Sequence, residues 1–200
     1  DWTLSRGLGD VYKRQAGNIG GIVCERARNL KMKVLAYDPF LSKDKSLEMG
    51  VEKVEELENL LPKVDFITLH VPLTKMTRNI LSRENLEKTK KGVRIINCAR
   101  GGLVDENALS ELIKSGHVAG AAFDVFEEEP ARNNPLFNLS NVVCTPHLGA
   151  ATIEAQENVA LQIAEQMSKY LLEGAVENAL NMPSMSAEEA KVMAPWVKLS

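Results

Sequence analysis

The chain has 200 residues, of which 44% are hydrophobic and 26% charged, and these proportions are typical of a folded globular domain. The net charge of −3 disfavours nucleic acid as a partner, and no apolar run reaches the roughly 18 residues that a membrane-spanning helix needs. The first residues lack a signal peptide, and Cys24, Cys98 and Cys144 suit neither a disulfide framework nor a metal site, so we expect a cytoplasmic protein with no bound metal and no membrane association.

Residues 1–15 are unlike the start of a nucleotide-binding domain. Lys13 and Arg14 stand where a buried first strand should end, and Gln15 stands where the first glycine of a G-x-G-x-x-G turn belongs. The stretch 10–15 also resembles translated adaptor sequence. We therefore expect a non-native leader over residues 1–15 and a first strand that is damaged or replaced.

A degraded glycine turn follows the leader. Gly17-Asn18-Ile19-Gly20 precedes a helical pattern up to Leu30, and a short strand at 33–37 ends in Asp38. The spacing of about 20 residues is the one at which a carboxylate accepts the ribose hydroxyls of NAD, and it disfavours the 2′-phosphate of NADP. Each feature alone has a plainer interpretation. The glycines could form an ordinary turn, and Asp38 could be a turn residue before a proline.

Strand-like and helix-like patterns then alternate along the chain. They predict an α/β fold, a Rossmann-type doubly wound parallel sheet. The last helix, residues 151–172, carries an apolar stripe that we interpret as core packing. The predicted elements are strands at 33–37, 65–70, 93–97, 118–125 and 142–144, and helices at 20–30, 55–61, 82–89, 105–114 and 151–172.

Polar motifs follow three of the predicted strands. Arg100 lies in the turn after 93–97, the acids Asp124 to Glu129 follow 118–125, and His147 follows 142–144. In an open parallel sheet, ligands bind beyond the carboxyl ends of the strands. An arginine, a carboxylate and a histidine that meet there could transfer a proton and hold an anionic substrate.

The three motifs, Asn-Cys-Ala-Arg-Gly-Gly-Leu-Val-Asp-Glu from residue 97, Phe-Asp-Val-Phe-Glu-Glu-Glu-Pro from 123 and Pro-His-Leu-Gly-Ala from 146, resemble the D-isomer-specific 2-hydroxyacid dehydrogenases. The resemblance implies an NAD-binding domain over residues 16–175. It implies a return segment and the start of a truncated C-terminal region over 176–200, with the substrate domain largely absent.

The resemblance also implies residue roles. Arg100 would bind the substrate carboxylate, His147 would be the acid/base, and Glu129 would hydrogen-bond the imidazole of His147. Arg100 and His147 would also contact the cofactor NAD. The full set of cofactor-binding residues would be Gly17, Asn18, Ile19, Gly20, Asp38, Val71, Cys98, Ala99, Arg100, Asp124, His147, Gly149 and Ala150.

The activity that the resemblance implies is NAD-dependent oxidation of a small hydroxy acid, expected to be D-3-phosphoglycerate, to 3-phosphohydroxypyruvate at the start of serine synthesis. Two alternatives stay open: a glyoxylate or hydroxypyruvate reductase of the same family, and a non-catalytic NAD-sensing corepressor. The resemblance further implies a homodimer or homotetramer. Without a substrate domain, the 200-residue chain alone is expected to be inactive.

Overall fold

The computed structural model describes residues 3–8, 17–149, 151–177, 179, 186, 188 and 189. The chain forms two compact units, residues 1–147 and residues 148–200. In the described part of the chain, the first unit contains the sheet and four α-helices, and the second contains one long α-helix.

The described residues of the first unit form a seven-stranded sheet with the order β3-β2-β1-β4-β5-β6-β7. Every pair of neighbouring strands is parallel. The strands are β1 (Thr3–Leu8), β2 (Lys33–Tyr37), β3 (Glu52–Val54), β4 (Phe66–His70), β5 (Val93–Asn97), β6 (Val118–Phe123) and β7 (Val142–Cys144). Because the order reverses direction at β1, the crevice between the ends of β1 and β4 is the position at which doubly wound folds bind their ligands. The predicted fold class is confirmed.

Side-chain caps fix where most of the helices begin. Ser42, Ser82, Asp105 and Thr152 each accept a hydrogen bond from the backbone N–H three residues later. The helices are α1 (Gly17–Asn29), α2 (Lys43–Glu48), α3 (Arg83–Glu87), α4 (Glu106–Lys114) and, in the second unit, α5 (Ile153–Glu173).

The first strand is formed by residues that precede the expected position. Thr3–Leu8 pairs with β2 on one side and with β4 on the other, so the place of a first strand in the fold is filled. The sequence predicted a damaged or replaced strand because the charged residues 13 and 14 lie directly before the glycine turn. The strand in the structure lies further upstream, and the segment from 9 to 16 lies outside the described residues.

The core lies mainly under β4, β5 and β6. Val93, Ile95, Val118 and Phe123 are each at most 2% exposed, and Leu109 on α4 is fully buried. Strands that are buried on both faces read as continuous apolar runs, and this is why the sequence predicted these strands well.

Two expectations about secondary structure need correction. The helix predicted at 55–61 is instead a pair of short 3₁₀ turns, Leu57–Asn59 and Leu61–Lys63, because Pro62 removes an N–H that a longer helix would need. The short elements α2 and β3 were not predicted, since six and three residues are too few to show a clear period.

The apolar stripe of the last helix is not core packing. Helix α5 begins and ends close to the predicted bounds, but none of its residues is buried. Val159, Ile163, Met167 and Tyr170 lie along one side of it and are 50–58% exposed. No helix in the described part of the chain has the length and apolarity required to cross a membrane.

Candidate active site

The carboxyl ends of β5, β6 and β7 are joined beyond the regular sheet. The backbone N–H of Asp124 donates to the carbonyl oxygen of Asn97 at 3.0 Å, and that of Thr145 donates to Phe123 at 2.9 Å. These two bonds continue the ladder across all three strand ends. The three polar motifs therefore start from one rigid edge of the first unit, as the sequence predicted.

Asn97 shapes the turn that carries Arg100. Its side-chain amide donates to the carbonyl oxygen of Arg100 at 2.9 Å, and its side-chain oxygen accepts the N–H of Ala99 at 3.1 Å. Asn97 is 1% exposed, and both bonds are partly buried. The guanidinium of Arg100 is exposed and donates one hydrogen bond to the Ala99 carbonyl at 2.6 Å. Its other N–H groups can bind an anionic ligand.

Gly101 brings this turn against the loop after β6. A Cβ atom at position 101 would lie 1.8 Å from the carbonyl oxygen of Phe126, a distance at which backbone would have to move. Glycine is therefore required here by close approach of two backbone segments. The contact couples the Arg100 turn to the loop that carries Glu129.

His147 and Glu129 form a histidine–carboxylate pair. The Nδ1 atom of His147 lies 2.7 Å from Oε2 of Glu129. The other carboxylate oxygen of Glu129 accepts the backbone N–H of Phe126 at 3.0 Å. The hydrogen bond from His147 and then that from Phe126 lower the pKa of Glu129, so the carboxyl is ionised at neutral pH.

An ionised carboxylate can only accept hydrogen bonds, so Nδ1 of a neutral His147 must carry the proton. The second nitrogen, Nε2, is then unprotonated and can accept a proton from a bound molecule. The pair thus has the chemistry of a general base whose tautomer is fixed by a carboxylate.

The backbone at His147 is in the left-handed region, with φ of 56°. Residues other than glycine adopt this backbone conformation at a cost of about 1 kcal/mol, and such residues cluster at functional sites. A largely apolar cavity of about 580 Å³ lies beside the pair, and Phe126, Phe137 and Cys144 are among the residues that line it.

Asp124 connects the ends of β6 and β7. It is 6% exposed, and its carboxylate accepts the hydroxyl of Thr145 at 2.5 Å, two residues before His147. Cys98 lies at the end of β5 and is exposed, but its thiol is partly desolvated. This desolvation and then the charge of Asp124 raise the pKa of the thiol. A thiol with a raised pKa is a poor nucleophile, so the site favours acid/base chemistry over covalent cysteine chemistry.

The other strand ends suit a dinucleotide. Gly17–Gly20 form the first turn of α1, where backbone N–H groups have no partner within the helix and can bind a pyrophosphate. Asp38 directly follows β2 and is 4% exposed, and one of its oxygens accepts the N–H of Phe40 at 2.9 Å. Val71, buried after β4, adds an apolar wall. A carboxylate at the end of the second strand fits the ribose of NAD.

A family model for the "D-isomer specific 2-hydroxyacid dehydrogenase, NAD binding domain" matches residues 15–149. The chain belongs to this family. The match covers the strand ends described above, and it confirms NAD as the cofactor of the domain.

Relatives and solved structures agree with this membership. Two proteins named D-3-phosphoglycerate dehydrogenase, from Methanocaldococcus jannaschii and Bacillus subtilis, are 47% and 46% identical over 184 residues. The match takes in 92% of this chain but only 35% of each relative, so the chain spans about a third of their length. The crystal structure of a glyoxylate reductase from Paecilomyes thermophila is 32% identical with a TM-score of 0.77, over 90% of this chain and 52% of that one.

The structure brings most of the predicted site residues to one edge of the first unit. Asp38, Val71, Cys98, Ala99, Arg100 and Asp124 follow β2, β4, β5 and β6, and His147 and Glu129 are in contact. Ile19 is exposed and Gly20 buried in α1, while the side chain of Asn18 lies outside the described residues. Gly149 is exposed in the second unit, and Ala150 also lies outside the described residues.

Sequence reasoning missed the residues that hold the site together: Asn97, Gly101 and Thr145. Asn97 could have been found, because a polar residue at the end of an apolar strand, directly before a turn, is typical of a side chain that bonds the turn backbone. Nothing in the local sequence indicates the contacts of Gly101 and Thr145, since their partners lie 21 or more residues away.

Proposed function

We propose that the protein containing this chain oxidises a D-2-hydroxy acid with NAD. The observation that carries the proposal is the 2.7 Å contact between His147 and Glu129 at the same sheet edge as Arg100. A base with a fixed tautomer at the same sheet edge as a cation suits the removal of a proton from a hydroxy acid.

In the proposed mechanism, the guanidinium of Arg100 binds the substrate carboxylate through parallel N–H donors. Nε2 of His147 accepts the hydroxyl proton while the carbon-bound hydrogen leaves as hydride, and the alcohol becomes a carbonyl. NAD supplies the hydride acceptor. Glu129 stays ionised and stabilises the imidazolium that forms.

The substrate we propose is D-3-phosphoglycerate, with 3-phosphohydroxypyruvate as product in serine synthesis. The proposal draws on the two relatives with 46–47% identity, which are named for this activity. A second candidate is glyoxylate or hydroxypyruvate reduction, which the likeness to the glyoxylate reductase structure favours. The same pair would then donate the proton instead of accepting it.

For the assembly we propose a homodimer or homotetramer. The apolar stripe of α5 supports this, because an exposed run of large apolar side chains on one helix face is typical of an interface. We also propose a cytoplasmic location, since all three cysteines are free thiols, as expected in a reducing compartment.

The test measures NADH formation by the full-length protein with D-3-phosphoglycerate, beside His147→Ala and a control, His117→Ala. His117 lies at the amino end of β6, away from the strand ends of the site. We expect His147→Ala to lose about 10²–10⁴-fold in kcat, the usual contribution of a general base, and the control to keep its activity.

Two other outcomes would redirect the proposal. Turnover of glyoxylate or hydroxypyruvate without turnover of D-3-phosphoglycerate would keep the mechanism and change the substrate. NAD binding without turnover of any hydroxy or keto acid would favour a non-catalytic NAD sensor.

A further inference from the structure

Glu106, at the start of α4, is a buried carboxylate with both oxygens engaged. It is 8% exposed. Oε1 accepts the backbone N–H of Glu127 at 2.9 Å, and Oε2 accepts the side-chain amide of Asn134 at 2.5 Å. Neither bond is made within the helix, since Asp105 already caps α4 through the N–H of Ala108. Charge-assisted bonds of this kind are stronger than neutral ones.

Both partners of Glu106 belong to the segment 127–134, here called the acid loop. They bracket Glu129, two residues after the first anchor and five before the second. The acid loop is otherwise exposed at 127–130, so its conformation depends on a few contacts.

Other contacts at the acid loop are weaker or lie at its borders. Arg78 pairs with the carboxylate of Glu127 at 3.0 Å, but both side chains are more than half exposed, and such pairs contribute little. Phe126 packs edge-to-face on Phe137 with ring centroids 5.4 Å apart, but one residue precedes the acid loop and the other follows it. The N–H of Phe126 donates to Glu129 from the border of the loop. Glu106 is a buried side chain that binds the acid loop near both of its ends, at the backbone of Glu127 and at the side chain of Asn134.

Glu106 also lies close to the cavity beside His147. Burial and then the charge of Glu106 raise the pKa of Cys144, one of the cavity residues. A negative side chain in the first turn of a helix also interacts favourably with the helix dipole.

We propose that Glu106 is a positioning residue that sets the conformation of the acid loop and thereby holds the Glu129 carboxylate against Nδ1 of His147. This inference deepens the proposed function, because the pair it positions is the proposed base. The contacts themselves require neither cofactor nor substrate, so they can be tested without turnover.

The test records the imidazole ¹⁵N spectrum of the 200-residue chain at a pH where the imidazoles are neutral. The chain has only three histidines, and His70 and His117 each hydrogen-bond a threonine in the sheet or at its amino edge, so they serve as internal references. The Nδ1 and Nε2 shifts give the fraction of His147 that carries its proton on Nδ1. Glu129→Ala defines the spectrum of His147 without its partner.

Glu106→Gln keeps the volume of the side chain but replaces one acceptor oxygen by an amide donor that faces another donor. We expect the Nδ1-protonated fraction of His147 to fall toward that of Glu129→Ala, while His70 and His117 keep their shifts. The double variant with Glu129→Ala should give the same spectrum as Glu129→Ala alone. The matched control is Glu111→Gln, which removes the same charge from an exposed position of the same helix. It should leave the His147 shifts unchanged.

A second variant guards against loss of folding. Asn134→Asp keeps the oxygen that accepts the N–H of Leu136 at 3.0 Å but turns its contact with Glu106 into a repulsion between carboxylates. We expect the same change at His147, and none from Asn133→Asp, its exposed neighbour.

If folded Glu106→Gln or Asn134→Asp leaves the His147 signals as in the parent while Glu129→Ala moves them, the proposal is wrong. That result would leave the proposed function intact. If instead the full-length protein turned over no hydroxy acid while the His147 spectrum still depended on Glu106, the proposed function would be wrong and the positioning role of Glu106 would stand.

Discussion

At the residue scale, the pairing of His147 with Glu129 decides the protonation of both groups. The pKa of Glu129 is lowered first by the hydrogen bond from His147 and then by that from Phe126. A carboxyl whose folded pKa lies below its unfolded value stabilises the fold above the unfolded pKa, about 4.3 for glutamate. That contribution is lost as the pH falls through the lower, folded pKa.

We therefore expect His147→Ala to raise the pKa of Glu129 without restoring it fully, because the N–H of Phe126 still favours the carboxylate. A ¹³C titration of the Glu129 carboxyl in both chains measures the change. In parallel, the stability that Glu129 adds over Glu129→Gln should be complete above about pH 5 and should shrink below it. An unaltered Glu129 titration in His147→Ala would show that the pair is not formed in solution. Replacement of His117, which contacts Thr89 instead, is the control.

At the element scale, the sheet was predictable because its strands are buried runs with polar residues directly at their ends. The runs at 93–97 and 142–144 have the predicted bounds, and the predicted strand at 118–125 ends at residue 123 in the structure. These local signals suffice to place Arg100, Asp124 and His147 at one edge of the sheet.

The contacts that join the elements were not predictable. Glu106 and Asn134 are 28 residues apart in the sequence. A hydrogen bond between two such distant residues produces no periodic pattern from which it could be predicted. The same holds for the first strand: residues 3–8 carry Ser5 and Arg6, so their pattern does not resemble a buried central strand. Pairing with β2 and β4 decides their conformation instead.

The close approach at Gly101 gives a prediction at this scale. We expect Gly101→Ala to lower the free energy of unfolding by about 1–3 kcal/mol, because the new methyl group would meet the backbone of Phe126 and force the two loops apart. Urea denaturation of both chains measures the difference. Gly21→Ala is the matched control, since among the described residues no atom outside its own stretch of helix lies within 4 Å of a Cβ added there, and alanine is the better helix former. A Gly101→Ala chain as stable as the parent would show that the loops are not in contact.

At the scale of the whole molecule, the described residues of the first unit form a parallel sheet with a buried core and a polar edge. Helix α5 of the second unit is different, because its apolar stripe was expected in a core and is exposed. The sequence period correctly predicted the helix and the stripe. Which surface covers a stripe depends on partners that a period does not encode.

If α5 supplies the interface of the proposed homo-oligomer, a charge on its stripe should weaken association. Ile163 lies on the stripe and is 50% exposed, whereas Leu161 points to the opposite side of the helix and is 64% exposed. We expect Ile163→Glu to sediment as a monomer at concentrations where the parent chain associates, and Leu161→Glu to associate as the parent does. Far-ultraviolet circular dichroism checks that both variants keep the helix. Equal sedimentation of all three chains would exclude the stripe as the interface, because an ionised glutamate buried there without a partner would cost more than a homodimer of ordinary size tolerates.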